Sequence, residues 1–212
     1  IMETGGSCFF MGDLFDFYFE YPDLIPKSYF DFFEKTKVLK ENGITLYFLA
    51  GNHDYWVGDH ITNDIMDEVY LDDKQIEING KKFFLTHGDG LLSWDHGYRL
   101  LKKVIRSKAF IWLFHWLHPT IGYRIAGMIS RSGKKDTHGE DFNEDVRVEL
   151  QKVAKEHFDN GYDFMISGHY HLGEMFLIEK GKLVVLGDWF HRPSYALFNG
   201  EDLELRHWED DD

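Results

Sequence analysis

Four short segments constrain the fold of this chain more than any other feature. Gly12-Asp13-Leu14-Phe15-Asp16, Gly51-Asn52-His53-Asp54, His87-Gly88-Asp89 and Gly168-His169-Tyr170-His171 each follow a brief apolar run, namely 7–11, 44–50, 82–86 and 164–167. Runs this short, rich in aromatic and β-branched residues and closed by a glycine-containing polar cluster, read as sheet strands. In an α/β sheet the C-terminal ends of the strands open onto a shared crevice, which is where functional groups collect. A helix from about Ser28 to Asn42-Gly43, with Ser28 as N-cap and Gly43 just past the end, joins the first two strands into a βαβ unit. The second strand is apolar except for Thr45, as expected of a strand buried on both faces. Residues 75–78 and 82–86 around Asn79-Gly80 form a hairpin. A helix from about Asn143 to Phe158 precedes the fourth strand, and the remainder, with turns at Lys180-Gly181 and Asn199-Gly200, alternates as a β-meander.

At 212 residues and 43% hydrophobic, the chain is long enough for one sizeable core, and a single domain over 1–212 is the expectation. The one cysteine, Cys8, has no disulfide partner, which fits a reducing compartment, and its apolar neighbours make it a buried strand residue. The first residues, Ile1-Met2-Glu3-Thr4, read as the tail of a longer segment, so upstream chain is expected to be missing, and no signal peptide is visible. The longest apolar concentration, 109–117, is broken by His115 and followed by Pro119. It falls far short of the roughly 20 apolar residues of a membrane span.

The net charge of −14 is unevenly spread. Between Tyr98 and Lys135 there is no Asp or Glu, whereas Arg99, Lys102, Lys103, Arg106, Lys108, Arg124, Arg131, Lys134 and Lys135 are all basic. Within this insert Leu100, Leu101, Val104, Ile105, Phe110, Ile111, Trp112, Phe114, Trp116 and Leu117 recur at helical intervals with Lys and Arg on the flanks. Such a helix can lie on an anionic membrane surface, although periodicity alone favours a helical hairpin packed on its own domain with solvated basic edges. The acidic remainder would repel a phosphate backbone, so nucleic acid is excluded as a partner.

The ligand types in the four segments suit phosphate chemistry. Hydrolysing a phosphate ester needs an activated water and neutralised nonbridging oxygens, and two divalent ions about 3.5–4 Å apart supply both. Asp13 has the position of a bridging carboxylate. Asn52, His87, His169 and His171 complete an oxygen and nitrogen set suited to manganese, iron or zinc rather than calcium. His53 leaves the strand on a path diverging from Asn52 and is expected to donate a hydrogen bond or proton to the phosphate, with Asp54 orienting it.

These residues, Asp13 in G-D-x-x-D, Asn52 and His53 in G-N-H-D, His87, and His169 and His171 in G-H-x-H, resemble the calcineurin-like metallophosphoesterases over nearly the whole chain. The resemblance implies an α/β/β/α four-layer sandwich with a dinuclear centre, its N-terminal strand and helix missing here together with the Asp-x-His that serves the second ion. Asp13, Asn52, His87 and His169 would serve one ion, and His171 would help to hold the other. A narrower likeness, carried by residues 12–21, His87-Gly88-Asp89-Gly90-Leu91, Asp95-His96-Gly97-Tyr98 and the basic insert, is to the UDP-2,3-diacylglucosamine hydrolases of lipid A synthesis. It implies manganese (with Fe2+ or Zn2+ as alternatives), an acylated UDP-sugar as substrate, release of UMP, and a helical lid over 98–135 that holds acyl chains. It further implies a cytoplasmic enzyme peripheral on the inner face of the inner membrane. Asn52, Asp95, Tyr98, Ser132, Lys135 and His169 are then the expected substrate contacts. Two other readings stay open: a metallophosphoesterase acting on a soluble phosphodiester or nucleotide, and a noncatalytic binding scaffold.

Overall fold

The computed structural model describes residues 5–21, 24–125 and 140–208. The chain is a mixed α/β protein that divides into two compact units, 1–72 with 100–133, and 73–99 with 134–212. Ser132 and Lys135 lie outside the described residues.

The first unit is built on three parallel strands, β1 (Gly6–Phe10), β2 (Ile44–Leu49) and β3 (Glu68–Tyr70), in the order β1-β2-β3. The helix α1 (Phe30–Glu41) makes the crossover between β1 and β2, so the expected βαβ unit is present, with Gly6 opposite Ile44 in register. Its start differs from expectation. Residues 27–29 form a 3-10 turn that contains Ser28, and the N-cap position falls to Tyr29, whose side chain makes no cap. Its end is as expected: Gly43 has φ +76 and donates to the Lys40 carbonyl. In β2, Ile44, Leu46 and Phe48 are buried, whereas Thr45 and Tyr47 are half-buried. The fully buried face joins Phe15, Tyr18, Phe33 and Ile61 in one core.

The Glu20 carboxylate accepts from the amides of Gly58, His60 and Ile61 and from the Tyr18 hydroxyl. It thereby satisfies the orphan donors at the start of the wide helical turn His60–Ile65.

Two further helices, α2 (His96–Ile105) and α3 (Lys108–His115), precede a helical stretch at 119–125. Ser107 caps α3 by accepting from the Phe110 amide at 3.2 Å. Residues 100–125 of this insert belong to the first unit and are tied to the segment that follows Gly51-Asn52-His53-Asp54. The Trp56 indole donates to the Ile105 carbonyl at 3.0 Å, the Arg106 guanidinium lies 4.1 Å over the Tyr55 ring, and Phe114 packs on Phe17, Phe19 and Trp56.

The second unit is a five-stranded mixed sheet of β4 (Lys74–Ile78), β5 (Lys81–Thr86), β6 (Phe164–Ser167), β7 (Glu174–Ile178) and β8 (Gly181–Val185), in the order β4-β5-β6-β8-β7. Asn79 and Gly80, both at positive φ, make the tight turn of the expected β4–β5 hairpin. The expected meander is not formed. The β7–β8 hairpin folds back so that β8 pairs in parallel with β6, because all four residues of β6 are buried and need neighbours on both edges. β9 (Ser194–Phe198) and β10 (Leu203–His207) form a separate hairpin, with Phe198 packed on Phe83 and Phe164. The helix α4 (Glu140–Asp159) buries Val146, Leu150 and Ala154 against Phe84, Met165, Leu183 and Val185.

In α4, His157 stacks on Phe84 with ring centroids 3.8 Å apart, and burial lowers its pKa, with Asp73 and Glu156 opposing. A histidine whose folded pKa is depressed is stabilising in its neutral form. Its contribution is complete above the unfolded value of about 6.5 and is lost as pH falls toward the folded pKa. The melting temperature should therefore fall more steeply below pH 6.5 in the wild type than in His157→Phe; parallel pH profiles would show that the ring carries no such linkage.

Candidate metal centre

In the first unit Gly12 and Asp13 follow β1 with φ +87 and +52. Asp tolerates the left-handed region because its short polar side chain bonds locally, and here Asp13 Oδ1 accepts from the His53 amide at 2.9 Å. Gly51 is required by space rather than by φ: a Cβ there would collide with the Asp13 amide nitrogen and carboxylate oxygen.

Asp54, fully buried, accepts from the amides of Gly51 and Leu14 at 2.7 Å each, and from those of Asp13 and Phe15 at 3.2 and 3.4 Å. These bonds clamp the two loops together, and the His53 ring nitrogen Nδ1 lies 2.7 Å from the Asp16 carbonyl. A carbonyl only accepts, so Nδ1 carries a proton and Nε2 is the nitrogen left for chemistry. Asn52, just before His53 in sequence, is half-buried.

In the second unit His87 follows β5 and is almost fully buried, and its ring centroid lies 5.2 Å from that of His169, which follows the adjacent parallel strand β6. Neighbouring parallel strands end together, which is why two imidazoles far apart in sequence meet. Gly88 donates to Thr86 Oγ1 at 3.1 Å, and Gly168 donates to the His87 carbonyl at 3.0 Å. His169 and His171 both lie at positive φ (+63 and +54), and His171 is exposed.

Of the expected substrate contacts, Tyr98 donates its hydroxyl to Asp89 at 2.9 Å, and its ring lies 6.4 Å from that of His169. Asp95 is half-buried, and burial raises its pKa against the opposing charge of Arg99. Two groups with roles not assigned from sequence are Asp89, buried under Tyr98, and Tyr170, whose hydroxyl donates to the Gly88 carbonyl at 3.0 Å. Burial, with Asp95 and Asp89 nearby, raises the Tyr170 pKa and keeps it a neutral donor. The His-Gly-Asp spelling was the available signal for Asp89.

Asp13, His87 and His169 each offer a metal-ligating atom. A carboxylate and two imidazoles are donors that fit divalent first-row ions. Strand ends carrying such donors are the hallmark of a metal-dependent hydrolase. Residues 8–173 match the family described as calcineurin-like phosphoesterase, and the chain belongs to it. Members of this family act through divalent metals.

Among relatives, the UDP-2,3-diacylglucosamine hydrolase of Porphyromonas gingivalis is 34% identical over 99% of this chain and 86% of its own length. Proteins of the same name from Histophilus somni and Vibrio atlanticus are 30% and 26% identical, covering 85% and 96% of this chain and 77% and 84% of their own. Among the described residues no helix is long and apolar enough to cross a membrane.

Proposed function

We propose that this chain hydrolyses the diphosphate of UDP-2,3-diacylglucosamine, releasing UMP and 2,3-diacylglucosamine 1-phosphate in lipid A synthesis. The observation that carries it is the likeness to the Porphyromonas gingivalis hydrolase over nearly the whole of this chain, supported by the ligating atoms that Asp13, His87 and His169 offer. Asp13, Asn52, His87 and His169 would hold one ion, and His171, with Asp13 shared, the other; manganese is the proposed metal. When bound, such a pair supplies a hydroxide nucleophile and neutralises the nonbridging oxygens.

The chain's own residues do the rest. The Asp16 carbonyl fixes the His53 tautomer, so that Nε2, when protonated, donates to the phosphate as charge develops. Tyr98, Asp95, Ser132 and Lys135 are the proposed substrate contacts.

The insert, proposed as a lid over 98–135, supports a membrane-side role. Trp112, Leu113 and Trp116 are 63, 61 and 74% exposed, joined by exposed Leu100, Leu101 and Val104 and by exposed Lys103, Lys108 and Arg124. An apolar surface flanked by cations suits an anionic lipid face, which is where a two-chain substrate resides, and we place the protein on the cytoplasmic face of the inner membrane.

The test compares detergent-dispersed UDP-2,3-diacylglucosamine with a water-soluble aryl phosphodiester, following UMP release. Cleavage of the diester without UMP release would replace the lipid reading with a soluble-substrate one. Changing Trp112, Leu113 and Trp116 together to Ser should lower turnover on the acylated substrate about tenfold or more, given the apolar area removed. Equal losses on the soluble diester would show a damaged fold instead.

A further inference from the structure

We propose that Arg192 is a positioning residue for the loop that carries His169 and His171, and that it sets the affinity of the chain for the divalent ion that His171 would hold. This rests on the dinuclear reading given above.

The loop is built from unfavourable backbone. His169, His171 and Gly173 all lie in the left-handed region, with φ of +63, +54 and +62. Two of these are not glycine, and such residues persist only when surrounding bonds over-determine them. At the front of the loop the bonds are evident: the Gly168 amide donates to the His87 carbonyl, and the Tyr170 hydroxyl donates to the Gly88 carbonyl. At the back, the Leu172 side chain is buried and Arg192 Nη1 donates to the Leu172 carbonyl at 2.9 Å. The Arg192 stem also crosses Gly173, where a Cβ would stand 3.5 Å from Arg192 Cβ and 3.7 Å from Cδ. His171 therefore sits between these front bonds and the Arg192 bond to the Leu172 carbonyl behind it.

Arg192 is itself anchored. The turn before it is closed by the Arg192 amide donating to the Asp188 carbonyl at 3.1 Å, and the Asp188 carboxylate accepts from the amides of Phe190 and His191 at 2.8 Å each. The Gly187 amide donates to Ser194 Oγ at 2.8 Å, and a Cβ on Gly187 would strike the Arg192 carbonyl. A side chain rising from so constrained a turn transfers that rigidity to the carbonyl it holds. Groups that orient a metal ligand without touching the metal typically change affinity about 10- to 100-fold when removed.

The experiment titrates the metal-free full chain with Co2+, followed by its visible absorption, alongside thermal melting without metal. Arg192→Met and Arg192→Gln should each need about tenfold or more Co2+ for half-saturation while melting close to wild type, and Arg192→Lys should restore most of the affinity. Wild-type Co2+ uptake by either the Met or the Gln variant, or failure of Lys to restore it, overturns the proposal. A wild-type chain that takes up no Co2+ overturns the dinuclear reading, and this role with it.

Discussion

Asp13→Asn should lower turnover on UDP-2,3-diacylglucosamine by at least about a hundredfold and reduce the metal bound per chain, with almost no change in metal-free stability. The substitution is chosen so that only charge changes. Asn matches Asp in shape and is among the few residues that accept φ +52, and its amide oxygen can still receive the His53 amide now 2.9 Å from Oδ1. A neutral amide cannot neutralise two cations as a shared carboxylate does, and its NH2 group presents donors where a metal needs lone pairs. Metal content by atomic emission, kcat and the melting temperature together decide it. An Asn variant with full metal content and more than about a tenth of wild-type turnover would remove Asp13 from the proposed centre.

The parts of this protein legible in its sequence are those where one residue type answers one local demand. Gly43 had to follow α1 because the chain there turns through positive φ, and Asn79-Gly80 spelled its hairpin for the same reason. The segments proposed to hold metal stand out in the sequence because glycine and potential metal-binding side chains coincide at the ends of apolar strands.

What was hidden depends on partners distant in sequence. Asp54 accepts from amides near residue 14, some 40 positions away, and nothing in Gly51-Asn52-His53-Asp54 names them. Arg192 meets Leu172 only because β7 and β8 fold back between them. Ser28 was a sound N-cap candidate by type and lost to a 3-10 turn after Pro26. β3 is three residues long, too short for alternation to register, and exists because β2 offers it a parallel edge. The same dependence on distant partners explains why β8, read as one strand of a meander, instead fills the slot beside β6.

Asp54→Ala should destabilise the first unit by about 3 kcal/mol or more and abolish activity, the largest stability effect expected of any single polar residue here. Its carboxylate is wholly buried and receives four amides, from Asp13, Leu14, Phe15 and Gly51. Each donor left unsatisfied in the interior costs about 1–3 kcal/mol, and water entering the cavity left by the side chain can serve only some of them. Against a total stability of about 5–15 kcal/mol for a typical domain, the loss is large.

Asp54→Asn separates charge and acceptor number from size. Its oxygen can replace one carboxylate oxygen and serve two of the amides, but its NH2 then faces the other two, donor against donor. Asn should therefore recover less than half of the stability that Ala loses, whereas a role limited to filling space would let Asn recover nearly all of it. Urea unfolding of the three proteins makes the comparison, and an Asn variant as stable as wild type would mean that the clamp does not depend on four accepted bonds. The functional loss follows from the same bonds. They hold the Asp13 loop against the Asn52-His53 loop, so releasing them separates the proposed bridging carboxylate from the proposed phosphate donor even in molecules that remain folded.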